Sequence, residues 1–235
     1  MKRQRLISDF DLSGKVSVTD ASFLNQIRNV LRMKKGDELT LCNGLGYERD
    51  FSIIASSKEE VILEPVSEKR PAYIPERKVI LCLSIIKKDN FEVAAQKAVE
   101  CGVSGIVPVI SERTVKGNID MERLRKIIRE ASEQCGRGSV PDISSPVILE
   151  EALSLSSSAN IFVFHTDPDS VSKKIDGEEG KVDFIFIGPE GGFSDKEIEL
   201  FRSKGAIFKS LGNLILRAET AAAVSVYLHA QGIDR

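Results

Sequence analysis

Long apolar runs are missing from this chain of 235 residues. The longest, Val79 to Ile86, falls far short of the roughly 20 residues that span a bilayer, and the basic start "MKRQR" has no apolar core behind it. No membrane segment and no secretory leader are expected, and the cytoplasm is the expected compartment. Cysteine is sparse and unclustered. Cys42, Cys82, Cys101 and Cys135 form no C-x-x-C pair, and only His165 and His229 are available to join them as soft ligands, so neither a metal site nor a disulfide framework is expected. An excess of one charge is absent too, with 33 Lys and Arg against 35 Asp and Glu. Such a balance excludes little, because the two signs can segregate onto separate faces. The basic runs "QIRNVLRMKK" at 26 to 35 and "RLRKIIRE" at 123 to 130 read either as solvated faces or as a nucleic-acid footprint.

What is present divides by rhythm. From Lys15 to about Ser67, short apolar patches alternate with the turn signals "KKGDE", "NGLGYERD" and "SSKEE", the pattern of a small all-β module. "LTLCN", "DFSIIA" and "EEVILEPV" read as strands and "DASFLNQIRNVLR" as a helix. The polar stretch "SEKRPAYIPERK" reads as an exposed linker. We therefore expect a β domain over 1–70, a linker over 71–78 and a second domain over 79–235.

Beyond the linker, strand-like and helix-like segments alternate. "VILCLSII", "GIVPVI", "NIFVFHT", "VDFIFIG" and "AIFKSLG" are the strands. "NFEVAAQKAVECG", "MERLRKIIREASEQCG", "SDKEIELFRSKG" and "AETAAAVSVYLHAQG" are the helices. That order implies an open, parallel α/β sheet with helices on both faces. Ser194 and Glu197 have the spacing of a capping box.

Two glycine-bearing loops, "GPEGGFS" after one strand and "LGNLILRAET" after another, lie where open parallel sheets bind ligands, outside the strand ends. Neither is a P-loop, since spacing and lysine are both wrong, and "NGLG" lacks the third glycine of a dinucleotide fingerprint. Glu190 would repel a phosphate, while the glycines admit a flat ring and Leu211, Ile215 and Leu216 offer apolar walls. An adenine-bearing ligand with a cationic tail suits these loops.

The pair "IGPEGGFSDKEIE" and "LGNLILRAETAAA" closely resembles the RsmE family, bacterial 16S ribosomal RNA uracil-N3 methyltransferases of the SPOUT class. "QKAVECGVSGIVPVISERT" is similar to that family's Lys-x-x-Glu-Leu-Gly-Val stretch, with Cys101 where leucine is usual. "EASEQCGRGSVP" resembles its Glu-Gln-x-x-Arg segment, and "NQIRNVLRMKKGD" its Val-Leu-Arg signature, without the histidine often found shortly before it. The resemblance implies a PUA-like β-barrel followed by a SPOUT α/β methyltransferase domain with a C-terminal trefoil knot. It also implies S-adenosylmethionine as methyl donor, a homodimer, and a uridine of 16S rRNA near the decoding region of the 30S subunit as substrate. The residues expected at the cofactor are then His165, Gly188, Pro189, Glu190, Gly191, Leu211, Gly212, Ile215, Leu216 and Thr220. Those expected at RNA are Arg3, Arg5, Arg28, Arg32, Arg113 and Arg137. Arg217 is the expected stabiliser of the uracil anion, with Glu190, Glu219 or water receiving the proton. A catalytically inactive RNA-binding module of the same fold is the competing reading, and the intact pair of loops argues against it.

Overall fold

The computed structural model describes residues 4–114, 119–165 and 182–233. The chain forms two compact units, one made of residues 1–74 with 129–140 and the other of 75–128 with 141–235.

In the first unit a six-stranded sheet runs in the order β1 (Gln4–Ile7), β3 (Glu38–Cys42), β4 (Tyr47–Ser56), β5 (Val61–Pro65), β2 (Val16–Val18), with β6 (Arg70–Pro71) also paired to β4. Alternation decides which side of it is packed. Phe51 and Ile53 of β4 go into the core with Leu39, Leu41, Val61 and Leu63, while Glu48 and Asp50 fall on the other face. There Arg70 pairs with both acids, and Thr40 donates to Asp50 at 2.7 Å. The segment expected as one helix over 20–32 is in fact a short helix α1 (Ala21–Asn25) followed by a π-helical turn at Gln26–Val30. Asp20 caps α1 through the N–H groups of Ser22 and Phe23. The extra residue per turn helps bring Ile27 into the core beside Phe23 and Leu24.

The helix α3 (Met121–Cys135) begins in the second unit and ends in the first. Its Glu133 accepts from the Ile7 N–H at 3.0 Å and from the Gln26 amide at 2.7 Å, which fastens the helix end to β1 and to the π-helical turn. Helical periodicity shows which stripe of α3 is apolar but carries no information about this polar anchor.

The second unit has the parallel sheet expected from strand–helix alternation. Its order is β10 (Val147–Ile148), β8 (Gly105–Ile110), β7 (Val79–Ser84), β12 (Asp183–Ile187), β11 (Asn160–Phe164), β13 (Ile207–Lys209), with β9 (Asp142–Ile143) also on β8. One face carries Cys82, Val107, Val109, Ile161, Val163 and Phe186 against α4 (Leu149–Leu155) and α5 (Asp195–Ser203). The other is covered by α2 (Lys88–Cys101) and α6 (Ala218–Ala230), which pack on each other. Small residues permit that contact: Ala94, Ala95 and Ala98 of α2 and Ala222 of α6 are fully buried. Gly102 ends α2 in a left-handed conformation, and a Cβ there would sit 3.1 Å from that of Ala230. The phenylalanines Phe186, Phe193 and Phe208 stack edge-on around Phe201, which makes α5 the aromatic anchor of its face.

Candidate functional site

Register puts three strand ends side by side. Phe164 at the end of β11 lies opposite Ile187 of β12 and opposite Lys209 of β13, so His165, Gly188 and Ser210, which follow these strands, lie at one sheet edge. The His165 N–H donates to the Lys209 carbonyl at 3.0 Å and extends that pairing by one residue. After Lys209 the chain turns sharply. The Ser210 hydroxyl accepts from the Gly212 N–H, and Gly212 has φ +104°, a conformation that a side chain would strain.

The turn walls a cavity of about 480 Å³ lined by Phe164, His165, Ser210, Leu211, Gly212, Asn213, Leu214, Ile215, Leu216 and Ala221. Mixed apolar walls with a few hydroxyl, amide and imidazole groups in this volume suit a ligand the size of a nucleoside with a side chain. The expected His165, Leu211, Gly212, Ile215 and Leu216 thus come together here. Phe164, Ser210, Asn213, Leu214 and Ala221 join them, although the sequence reading did not select them. Phe164 was findable, as the inward-alternating neighbour of His165 at a strand end.

Gly188, Pro189, Glu190 and Gly191 leave from the same edge but do not line this cavity. The Arg113 guanidinium donates to the carbonyls of Gly191 at 2.8 Å and Phe193 at 3.2 Å, tying their loop to the loop that follows β8. A Cβ on Gly188 would come within 3.3 Å of the Phe193 ring, so the turn closes tightly on itself. Pro189 is buried, and Glu190 and Gly191 are exposed. The expected capping box is present: Ser194 Oγ accepts from the Glu197 N–H, and Glu197 Oε2 from the Ser194 N–H.

Arg217 is the N-cap residue of α6, its side chain 83% exposed and 3.9 Å from Glu219. That is a long, solvated ion pair, so the guanidinium is available to a ligand. Thr220 lies exposed in the first turn of α6, outside the cavity lining.

The arginines expected at RNA fall into different settings. Arg3 lies outside the described residues. Arg5 pairs with Glu48 and donates to the Arg137 carbonyl. Arg28 donates to the carbonyls of Lys58 and Glu60, both at 2.9 Å, bracing the turn between β4 and β5. Arg137 is buried, 4% exposed, and burial pulls its pKa below the ordinary arginine value. Arg32 is exposed and holds φ +53°, which is costly for a residue with a Cβ.

A model described as RNA methyltransferase domain matches residues 74–230, and one described as RNA methyltransferase PUA domain matches residues 27–66. The ribosomal RNA small subunit methyltransferase E of Mesomycoplasma hyopneumoniae is 32% identical over 211 residues, 85% of this chain and 87% of the relative. That of Rickettsia conorii is 29% identical over 96% of this chain and 94% of its own. Among solved structures, a methyltransferase of Legionella pneumophila with SAM bound superimposes with a TM-score of 0.88 at 30% identity, covering 99% of this chain and 98% of the other. A ribosomal RNA small subunit methyltransferase E of Neisseria gonorrhoeae bound to S-adenosyl methionine gives 0.87 at 26% identity, covering 96% and 95%. With an RNA methyltransferase model matched over most of its length, and a relative above 30% identity aligned along 85% of it, the chain belongs to the ribosomal RNA small subunit methyltransferase E family.

Proposed function

We propose that this protein methylates N3 of one uridine in 16S rRNA, near the decoding region of the small ribosomal subunit, with S-adenosylmethionine as donor. The observation that carries the reading is the cavity at the ends of β11 and β13, within a chain of this family. The donor supplies an electrophilic methyl group when bound, and the residues present fit it. Leu211, Ile215, Leu216 and Phe164 offer apolar walls to a flat base. The bend at Gly212 is open to close approach by a ligand, and Glu190 and Glu219 suit a cationic tail better than a phosphate. Gly188, Pro189, Gly191, His165 and Thr220 complete the cofactor set in this reading.

Attack by N3 requires loss of a weakly acidic proton, and Arg217 is assigned to hold the negative charge that spreads over the O2–N3–O4 edge. An exposed guanidinium at the start of α6, with Glu219 at a long 3.9 Å, supports that role. The reaction asks for no metal.

The residue 1–70 domain is the PUA-like RNA-binding barrel in this reading, 71–78 the linker and 79–235 the SPOUT domain, with its C-terminal part threaded as a trefoil knot. Support for the knot comes from the path of the chain, which runs from β13 at the sheet edge back to α6, packed on β7 and β12 at the centre. Arg32 is the foremost phosphate contact, Arg3 and Arg113 are assigned to RNA as well, and Arg5, Arg28 and Arg137 hold the scaffold in place. The protein works as a cytoplasmic homodimer. No helix among the described residues is long and apolar enough to cross a membrane.

The test is to titrate the protein with S-adenosylmethionine and then offer it 30S subunits from a strain lacking the modification. Methyl transfer to N3 of a single uridine is expected. Cofactor and subunit binding without transfer would favour the inactive module.

A further inference from the structure

The loop "NGLGY", residues 43–47, fails as a nucleotide fingerprint, yet the structure builds it with care. Asn43 Oδ1 accepts from the N–H groups of Leu45 at 3.0 Å and Tyr47 at 3.1 Å, and Gly44 and Gly46 take φ of +71° and +86°. The loop is then locked from two sides within the first unit. The Gly46 N–H donates to the Gly138 carbonyl, the Ala72 N–H to the Gly46 carbonyl, and the Gly138 N–H to the Tyr73 carbonyl. A Cβ on Gly138 would meet Ala72 at 2.8 Å and its backbone at 3.1 Å, so that approach needs glycine, while at Gly46 it is the positive φ that favours glycine.

This scaffold displays aromatic rings to solvent. Phe51, Phe162, Phe186 and Phe201 are buried, but Tyr47 is 44% exposed and Tyr73 is 62% exposed, with Leu45 exposed two residues before Tyr47. Tyr47 pairs with Pro71 in the β4–β6 ladder, and the Gly46–Ala72 bond brings Tyr73 alongside the loop. The Lys69 ammonium lies 4.8 Å from the centre of the Tyr47 ring. Neighbouring Arg70 is engaged by Glu48 and Asp50, whereas Lys69 presents its ammonium to the Tyr47 ring. Exposed aromatic faces on a rigid backbone, with a cation beside them, are what single-stranded nucleic acid uses: the bases stack and the phosphate meets the charge.

We propose that Tyr47 and Tyr73, with Lys69, form a stacking platform for unpaired bases of the RNA substrate. The platform rests on the reading of the substrate as RNA. It deepens that reading by adding a base-binding surface to the phosphate-contacting arginines. Stacking is tolerant of sequence, so the platform holds a splayed strand rather than reading it.

The chain has no tryptophan and three tyrosines, so its intrinsic emission reports these residues once Tyr227→Phe removes the third. That full-length variant is titrated with a short oligouridylate. Quenching is expected, and further replacement of Tyr47 or Tyr73 by alanine should weaken binding by about 5- to 150-fold. Tyr73→Phe should bind as before. The salt dependence should be unchanged in the alanine variants and shallower by about one counterion in Lys69→Gln. A wild-type circular dichroism spectrum and urea midpoint identify variants that are folded. Wild-type RNA affinity in both alanine variants overturns the proposal. So does a tyrosine signal that follows protein concentration instead of RNA, which would mean that a second copy of this chain covers the rings. Quenching by RNA in a protein that fails to methylate 30S subunits would leave the platform standing and refute the proposed reaction.

Discussion

Glu197 Oε1 accepts a hydrogen bond at 2.8 Å from the backbone N–H of Glu112, a residue 85 positions away in sequence. Its other oxygen closes the capping box on Ser194, so one buried carboxylate holds the loop after β8 to the start of α5. Removing it leaves two backbone donors without their acceptor. Glu197→Ala should therefore destabilise the protein by about 2 to 4 kcal/mol. Urea unfolding would measure this, and a loss no larger than that of Ser194→Ala, about 1 kcal/mol for a cap, would show that the Glu112 bond contributes nothing.

Arg113 completes the same junction through the carbonyls of Gly191 and Phe193. If its main duty is to order that loop, Arg113→Ala should weaken S-adenosylmethionine binding by about tenfold, the order of one or two lost hydrogen bonds. Its effect on RNA affinity should be smaller. Calorimetry with the cofactor and filter binding with 30S subunits separate the two, and the reverse ranking would make Arg113 an RNA contact first.

At Arg217 the charge and the planar fork can be separated. Arg217→Lys keeps the charge, so cofactor affinity should hold while methyl transfer slows by the equivalent of about 1.5 to 4 kcal/mol. Single-turnover rates on saturating subunits give the chemical step. An unchanged rate would reduce Arg217 to an exposed partner of Glu219.

Asp183 accepts from His229 at 3.1 Å and from Asn160 at 2.8 Å. Burial pushes its carboxyl up, but the His229 and Asn160 hydrogen bonds, together with the charges of His229 and Arg77, outweigh burial and hold it below the usual aspartate value. A depressed native pKa adds stability that is present above the unfolded-state pKa and is lost as pH falls through the native one. The stability gap between wild type and Asp183→Asn should be about 1.5 to 3 kcal/mol near pH 6 and should shrink below about pH 4. Denaturation midpoints across that range would show it, and a gap independent of pH would assign the effect to packing alone.

For the proposed homodimer, light scattering should give roughly twice the 25.9 kDa of one chain. A monomer with full methyl transfer activity would refute it.

Much of the fold was legible because its signals are local. Strand–helix alternation beyond Lys78 announced the parallel sheet, and Ser194 with Glu197 announced a helix start that the structure caps as expected. The two glycine loops were also readable, and their motifs carried the family. Other features depend on which strands become neighbours, and no spacing encodes that. Adjacency of β11 and β13 decided that Phe164, Ser210 and Asn213 share a cavity with Leu211 and Ile215. The order β8, β7, β12 likewise brought Arg113 to Gly191 and the second oxygen of Glu197 to Glu112. A basic residue in a sequence announces a charge but not its partner. Arg5 and Arg28 are engaged by the protein itself and Arg137 is buried, while Arg32 remains at the surface, because buried polar groups must find hydrogen bonds wherever the packed chain offers them.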